Sequence, residues 1–417
     1  MTAYDGWQGL STRVSAAERL AHRDSDEIAC EMMAAAPMRI DSCELFFLRI
    51  PLRVSFSHGA RADRLFSDSV IVRISSDCRC GHGEAVVRDY VSGVASEDFP
   101  RVAPQAVGRL LAPLAGKALT WSELTPHLAG LECGSPELPF LCAVETALVD
   151  LCCRCEGKDI YSLLGREPRR DPVRYGGIIP ILSLGDAENL LRLCGRLGLP
   201  NAKIKVNGDA DQVAAVLDLS RKILGDSFDI RVDANSSWTP RDAARFFDTC
   251  RRYGVKIVEQ PFADAAEGAV EAMREARSRG FQIMADEGAL RFEDIRLLAD
   301  AGAYSLVNLR LSKNGGLAKV LALAEEVRRC GLSYQLGCMV GETGILSAIG
   351  RAAAALLPSP LYLEGSYDDA LLTENITMTS LGFGARGEAP VIRGRGAGYE
   401  INGASLERLS LSRVRCL

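Results

Sequence analysis

The feature of this 417-residue chain that most restricts its fold is a series of short apolar runs in its second half. Each run is followed by a polar turn and then by a stretch with the apolar spacing of a helix. The runs begin at Gly176, Ala202, Ile230, Val255, Gln282, Ser305, Leu332 and Leu361. Strands that alternate with helices in this way form parallel βα units, and eight in succession favour a (β/α)8 barrel over an open sheet.

The rest of the chain has a different pattern. Residues 1–37 carry many charges and no long apolar core, and we interpret them as a flexible extension. Residues 38–132 combine three β-rich runs with two later helical stretches, which predicts a small α+β domain. One long amphipathic helix is predicted from Phe140 to Leu164. We therefore assign the barrel and this linking helix to residues 133–370, and expect residues 371–417 to pack back on the first domain.

The composition excludes several classes of protein. Hydrophobic residues make up 47% of the chain and charged residues 25%, which is typical of a globular protein. The net charge of −5 provides no basic field to attract nucleic acid or a membrane surface. No uncharged apolar run reaches the roughly 18–20 residues that cross a bilayer. The fourteen cysteines lack the paired spacing of a zinc site, so we interpret them as reduced thiols of a cytoplasmic protein.

Acidic side chains end three consecutive predicted barrel strands. Asp233, Glu259 and Asp286 are separated by 26 and 27 residues, so they should lie at similar heights on strands about 4.8 Å apart. Taken singly, each acid could equally well be a metal ligand or an ordinary strand-end residue that is solvated or paired with an arginine. Three carboxylates together would repel one another unless a divalent cation lay between them. A ligand set made only of oxygen favours Mg²⁺, with Mn²⁺ as the alternative.

Lys203 and Lys205, in the second predicted barrel strand, are two of only eight lysines in the chain. Residues two apart point to the same face of a strand. The outer face of a barrel strand packs on helices and is apolar, so we expect both lysines to point inward. A lysine beside other cations in a confined site has a lowered pKa and can act as a base.

Taken together, these motifs resemble the enolase superfamily, and within it the muconate cycloisomerase-like (muconate-lactonising) branch. The resemblance covers roughly residues 39–404. It is carried by Lys203-Ile-Lys205, Asp233-Ala-Asn235, Val258-Glu259-Gln260-Pro261, Asp286-Glu287 and Asn308-x-Arg310-x-x-Lys313-x-Gly315-Gly316.

The resemblance implies a fold, a metal and a first chemical step. The fold is a modified (β/α)7β barrel of the TIM type beneath an N-terminal α+β capping domain, in a homo-oligomer. Mg²⁺ is held by Asp233, Glu259 and Asp286. The shared first step removes the proton α to the carboxylate of a small acid and gives a metal-stabilised enediolate. Lys205 would be the base, and Lys203 would support it.

The chain departs from the branch at the end of the sixth barrel strand, where Arg310 replaces the usual second catalytic lysine. An arginine stays protonated at ordinary pH, so it stabilises charge or binds a carboxylate rather than accepting a proton. We therefore favour one-base reactions, either cycloisomerisation by an isomerase or syn β-elimination by a lyase of the dehydratase type. The alternative is a racemase or epimerase of an amino-acid or dipeptide derivative. An alternative of another class is a non-catalytic binding protein on the same fold.

Other polar residues near predicted strand ends are candidates for supporting roles. Asn235 and Glu287 lie within two residues of an expected metal ligand and should orient it. The candidates for contact with the carboxylate substrate are His58, Arg61, Tyr90, Cys338, Glu342 and Glu364.

Overall fold

The computed structural model describes residues 37–56, 64–77 and 79–417. These residues form fifteen strands, in chain order β1 (Met38–Arg39), β2 (Ser42–Phe56), β3 (Arg64–Ser76), β4 (Arg79–Ala85), β5 (Ala118–Leu119), β6 (Val173–Arg174), β7 (Gly177–Ile179), β8 (Asn201–Lys205), β9 (Asp229–Asp233), β10 (Ile257–Glu259), β11 (Gln282–Ala285), β12 (Leu306–Leu309), β13 (Ser333–Leu336), β14 (Glu388–Ala389) and β15 (Ser410–Arg415).

The same residues form fifteen α-helices, in chain order α1 (Asp89–Ser92), α2 (Phe99–Leu111), α3 (Trp121–Ala129), α4 (Leu138–Glu156), α5 (Ile160–Leu164), α6 (Leu184–Leu197), α7 (Ala210–Leu224), α8 (Ala243–Arg252), α9 (Ala269–Ser278), α10 (Phe292–Asp300), α11 (Leu311–Asn314), α12 (Leu317–Arg329), α13 (Gly344–Leu356), α14 (Asp368–Leu371) and α15 (Gly403–Leu409).

The second half of the chain is a parallel sheet in the order β13-β12-β11-β10-β9-β8-β7. At least one helix follows each of these strands along the chain. Residues 361–364 close the sheet into a barrel, because the Gly176 amide donates to the Leu363 carbonyl at 3.0 Å and the Glu364 amide donates to the Leu336 carbonyl at 2.8 Å. This is a (β/α)7β barrel, as predicted.

Period-two alternation divides each barrel strand into two faces. The outward face carries fully buried β-branched residues such as Val232, Val258 and Val307, on which the helices pack. The inward face is closed at one end by a buried apolar cluster of Ile257, Met284, Leu306 and Tyr362. The inward positions nearer the C-terminal strand ends are polar, and this is where the candidate site lies.

A second sheet, in the order β15-β2-β3-β4, forms the cap. Its strand β4 approaches α4 so closely that only glycine fits. A Cβ atom on Gly83 would lie 1.8 Å from the Ala143 carbonyl oxygen, and one on Gly81 would lie 2.1 Å from the Ala147 carbonyl oxygen. Because of this close approach, the cap rests on the helix that leads into the barrel. The fourth strand of the cap sheet, β15, comes from the far end of the chain.

The prediction of one amphipathic helix from Phe140 to Leu164 is wrong. The helix α4 stops at Gly157, which has the left-handed φ of 65°. A new helix, α5, then begins after Asp159, whose side chain accepts a hydrogen bond from the Ser162 amide at 2.7 Å. The helix α4 is also buried on nearly all sides rather than on one, because it packs against both β4 and α11.

Two sequence predictions lie outside the described residues. These are the structure of the extension up to residue 36 and the placement of the loop with His58 and Arg61. Among the helices of the described part, none combines the length and the apolar character needed to cross a membrane.

Candidate active site

Lys203 points into the barrel and is almost fully buried. Its Nζ lies 2.9 Å from Glu364 Oε2, 3.2 Å from Glu259 Oε2 and 3.4 Å from Asp233 Oδ2. The three acids come from three different strand ends. Lys203 therefore joins them electrostatically at the centre of the barrel.

Lys205 lies two residues further along β8 and pairs with Asp233 in the register of the sheet. Its Nζ lies 3.1 Å from Asp233 Oδ2 and 2.5 Å from Asn235 Oδ1. Asn235 and Ser236 have φ values of 43° and 62°, a conformation that non-glycine residues rarely adopt. Such strain clusters at functional sites, and here it accompanies the placement of the Asn235 amide against the lysine. The Nδ2 of Asn235 is buried and has no hydrogen-bond partner among the described residues.

The three predicted metal ligands lie at the same end of the barrel. Asp233, Glu259 and Asp286 are each at most 1% exposed. Lys203 lies between the first two. Arg310 lies between the last two, with its Nη2 3.7 Å from Glu259 Oε1 and hydrogen-bonded to Asp286 Oδ2. Each neighbouring pair of acids thus shares one side-chain cation.

The acids do not contact one another closely. In the part of the chain that the structure describes, no group of three or more Asp, Glu, His or Cys side chains is gathered tightly enough to hold a metal ion. The chemistry of the donors nevertheless fits Mg²⁺, because three buried carboxylates on adjacent strands offer only hard oxygen atoms. A divalent ion would supply the positive charge that the side-chain cations now provide.

The surrounding charges shift the pKa values of the central groups. Burial alone would lower the pKa of Lys203, but Glu259, Glu364 and Asp233 outweigh burial and raise this pKa. Burial raises the pKa of Glu259 to about 7; Lys203 opposes this, while Asp233 and Asp286 add to it. Lys203 therefore stays a cation, since its neighbours are mainly carboxylates rather than cations.

Arg310 occupies the end of β12, four strands from β8 in either direction around the closed barrel. It is 6% exposed, and its Nε is buried without a hydrogen-bond partner among the described residues. Lys313 does not take its place. The Lys313 ammonium donates to the Asp286 carbonyl at 2.6 Å, to Asp286 Oδ1 at 3.1 Å and to the Asn308 carbonyl at 2.6 Å. Two of its protons therefore hold Asp286 and the third holds the Asn308 carbonyl, so all three are engaged.

The sequence interpretation missed Arg231, which is fully buried two residues before Asp233. Its guanidinium lies 2.5 Å from Glu364 Oε1 and donates to Asn201 Oδ1 at 2.8 Å. It also lies over the ring of Tyr362, at 4.2 Å from the centroid. Its inward direction could have been predicted from the sequence, because Arg231 lies two residues before Asp233 and residues two apart point to the same face of a strand.

Two amides that orient Glu259 were also missed. Asn308 Nδ2 donates to Glu259 Oε1 at 2.7 Å, and Gln335 Nε2 donates to Glu259 Oε2 at 3.3 Å. Both amides are fully buried. Asn308 lies two residues before Arg310, so the same alternation indicates its direction. The sequence gives no comparable indication of the direction of Gln335.

A cavity of about 330 Å³ opens at this end of the barrel. Its charged lining includes Lys203, Lys205, Arg310 and Glu364, and it also contains the predicted residues Tyr90 and Cys338. The cap contributes Tyr90 and Val54.

The other predicted residues are placed differently. Glu342 accepts a hydrogen bond from the Met339 amide of its own loop at 2.7 Å. Burial raises the pKa of Glu342 to about 8. Glu287 is half-buried beside Asp286.

Comparison with known proteins agrees with this fold. Residues 186–405 match the family described as enolase C-terminal domain-like. The L-Ala-D/L-amino acid epimerase of Flavobacterium johnsoniae is 28% identical over 74% of this chain and 84% of its own. A chloromuconate cycloisomerase of Cupriavidus necator is 29% identical over 57% of this chain and 64% of its own.

A solved structure shares the architecture. The dipeptide epimerase of Cytophaga hutchinsonii, solved with Mg and the dipeptide D-Ala-L-Val, has a TM-score of 0.78. It is 20% identical, and the match covers 91% of this chain and all of that one. The family match, the barrel and the named relatives lead to one conclusion: this chain belongs to the enolase superfamily and is an enzyme of the isomerase class.

Proposed function

We propose that this enzyme removes the proton α to the carboxylate of an amino-acid derivative or dipeptide, with Lys205 as the base, and epimerises that carbon. The observation that carries the proposal is the position of Lys205 on the cavity wall, beside Asp233 and its neighbouring acids. The epimerase relatives favour epimerisation. Cycloisomerisation is a second candidate, because it needs only one base and Arg310 is not a base. Syn β-elimination would use the same first step and stays a prediction.

Asp233, Glu259 and Asp286 are the residues that would hold Mg²⁺, the metal bound by other members of the superfamily. When bound, the ion supplies a Lewis acid that favours negative charge on the substrate carboxylate. The amides of Asn308 and Gln335 would hold Glu259 in orientation, as they do in this structure.

The side chains of the barrel perform the proton transfer. Lys205 Nζ is held at the cavity by Asp233 and Asn235, so its lone pair, once the amine is neutral, is directed at one face of the bound substrate. Lys203 remains a cation and stabilises the charge that develops on the substrate. Arg310, across the barrel, offers its planar guanidinium to a carboxylate.

Epimerisation also needs a proton donor on the other face of the α-carbon. Arg310 holds its proton too tightly for this purpose. The thiol of Cys338 lines the same cavity two residues after the end of β13, the strand that neighbours β12. Burial and the charge of Glu342 raise the pKa of Cys338 well above its usual value, so the thiol stays protonated and is a weak acid. It therefore does not replace the usual second lysine, and for this reason the one-base cycloisomerisation stays the second candidate.

The test is exchange of the α-proton with solvent deuterium, followed by NMR with Mg²⁺ present. The substrates are alanine dipeptides in both configurations of the second residue. Epimerisation predicts that either isomer gives a mixture of both, with deuterium at the inverted carbon. Exchange on one face without inversion would favour the one-base reaction.

Lys205→Ala should slow the exchange by about 10²–10⁴-fold, the usual contribution of a general base. Lys222→Ala is the matched control, because that side chain is 71% exposed on α7. Unchanged turnover in Lys205→Ala would refute the assignment of the base. If no acid exchanges at all with the wild type, the proposed reaction is wrong.

A further inference from the structure

The cavity extends beyond the charged residues into an apolar recess, which we call the side chamber. Its walls are Leu190, Leu193 and Leu197 of α6 on one side and Leu371 and Phe383 on the other. The closing segment 361–364 is followed along the chain by the four-residue helix α14, which contributes Leu371 to this wall.

The far wall of the side chamber is held in place by aromatic packing. The Phe383 ring lies 5.7 Å from the ring of Tyr175 and 5.7 Å from the ring of Tyr367. The Tyr367 hydroxyl donates to the Gly176 carbonyl at 2.7 Å. The wall is therefore anchored to the start of the first barrel strand, and the recess is preformed rather than created by a mobile loop.

The two ends of the cavity differ in chemistry. One end presents Lys205 and Arg310, which suit a carboxylate. The other presents mainly leucine and phenylalanine side chains, which gain stability only by covering apolar surface, while the exposed Asp186 near the start of α6 also lines the cavity. A volume of about 330 Å³ lies near the lower limit for ligand sites, so it fits one small molecule.

We infer that the substrate is a carboxylate bearing an apolar group of several carbons, and that the side chamber selects this group. The inference rests on the proposed function, since the reacting carbon must lie beside Lys205. It adds that discrimination between substrates depends on α6 and on the segment around Phe383.

Binding of acids that cannot react tests the inference separately from the reaction. The probes are 2,2-dimethylpropanoate, 2,2-dimethylhexanoate and 2,2-dimethyloctanoate, which have no α-proton. The hexanoate with a terminal hydroxyl is the polar control, because an ammonium could pair with Asp186 of the lining. Calorimetric titration of the wild-type enzyme with Mg²⁺ present should show affinity rising about fourfold for each buried methylene until the chamber is filled. The hydroxyl-terminated acid should bind more weakly than the hexanoate without the hydroxyl.

Leu193→Gln should remove most of this dependence on chain length, because it places an amide in the wall. Leu371→Gln, on the opposite wall, tests the same dependence if the first variant does not fold. Leu297→Gln is the matched control, because that leucine is 67% exposed on α10, and it should bind like the wild type.

The outcomes separate the inference from the proposed function. Equal affinity for all tails, or a chain-length dependence that both wall variants retain, overturns the inference even if α-proton exchange is observed. If none of these acids binds, the inference is overturned as well. A chain-length dependence without exchange of any α-proton supports the side chamber and overturns the proposed reaction.

Discussion

Removal of the negative charge of Glu364 should destabilise the protein more than any surface charge does. Glu364 is 3% exposed and lies between two buried cations, 2.9 Å from Lys203 Nζ and 2.5 Å from Arg231 Nη2. In Glu364→Gln, Lys203 keeps Asp233 and Glu259 as partners. Arg231 keeps the neutral amide of Asn201, the aromatic ring of Tyr362 and the more distant charge of Glu259.

The magnitude follows from this difference. Breaking a buried ion pair by removing one partner costs about 3–5 kcal/mol, because the other charge stays buried. The glutamine still offers one acceptor oxygen, so we expect the lower end, about 3 kcal/mol. Urea unfolding followed by circular dichroism should show a lower midpoint with an unchanged slope. The surface pair of Glu188 and Arg192 provides the control, and Glu188→Gln should change the free energy of unfolding by less than about 0.5 kcal/mol.

A double variant distinguishes pairing from general damage to the core. Glu364→Leu with Arg231→Met replaces the pair with apolar side chains and leaves Lys203 with its other carboxylates. Such replacements are often neutral or stabilising, so the double variant should be more stable than either single variant. A loss below about 1 kcal/mol in Glu364→Gln would refute the reasoning. So would a double variant as unstable as the sum of its singles.

Four further predictions follow from the site and the fold. In calorimetry of metal-stripped protein, Mg²⁺ at 100 times its Kd should raise the free energy of unfolding by about 2.7 kcal/mol, and Glu259→Gln should abolish the effect; no shift in the wild type would contradict the metal site. Gly83→Ala should cost at least about 2 kcal/mol in urea unfolding, because its Cβ would lie 1.8 Å from a carbonyl oxygen of α4, whereas Gly108→Ala, with open space at that Cβ, should be neutral or stabilising. Burial raises the pKa of Glu84 to about 7 from a usual 4.5, so the folded state binds this proton more tightly than the unfolded state does. The free energy of unfolding should therefore fall as the pH rises from about 5 through 7. A Glu84→Gln variant with the same pH dependence would show that another group is responsible. Arg310→Lys supplies an amine that can exchange its proton, so the ratio of deuterium incorporation on the second face to the first should rise in NMR, and an unchanged ratio would mean that position 310 does not face the α-carbon.

The barrel could be predicted from the sequence because its signals are local. Eight apolar runs with period-two alternation specify strands and their inward residues without any long-range information. The same alternation places Lys203 and Lys205 together, and the spacing of Asp233, Glu259 and Asp286 places them on adjacent strands. Membership of the enolase superfamily followed from these motifs. The homo-oligomer and the cytoplasmic location stay predictions.

Other features depend on which distant segments meet, and only the tertiary structure decides this. Barrel closure brings Glu364 to Lys203 across 161 residues of chain, and the resulting charges raise the pKa of this lysine. The cap gains its fourth strand from the end of the chain, and the side chamber lies between α6 and residues that follow the eighth strand. No local pattern encodes these contacts. Periodicity specifies the direction in which a side chain points, whereas its partners, and so its charge state, depend on how the whole barrel closes.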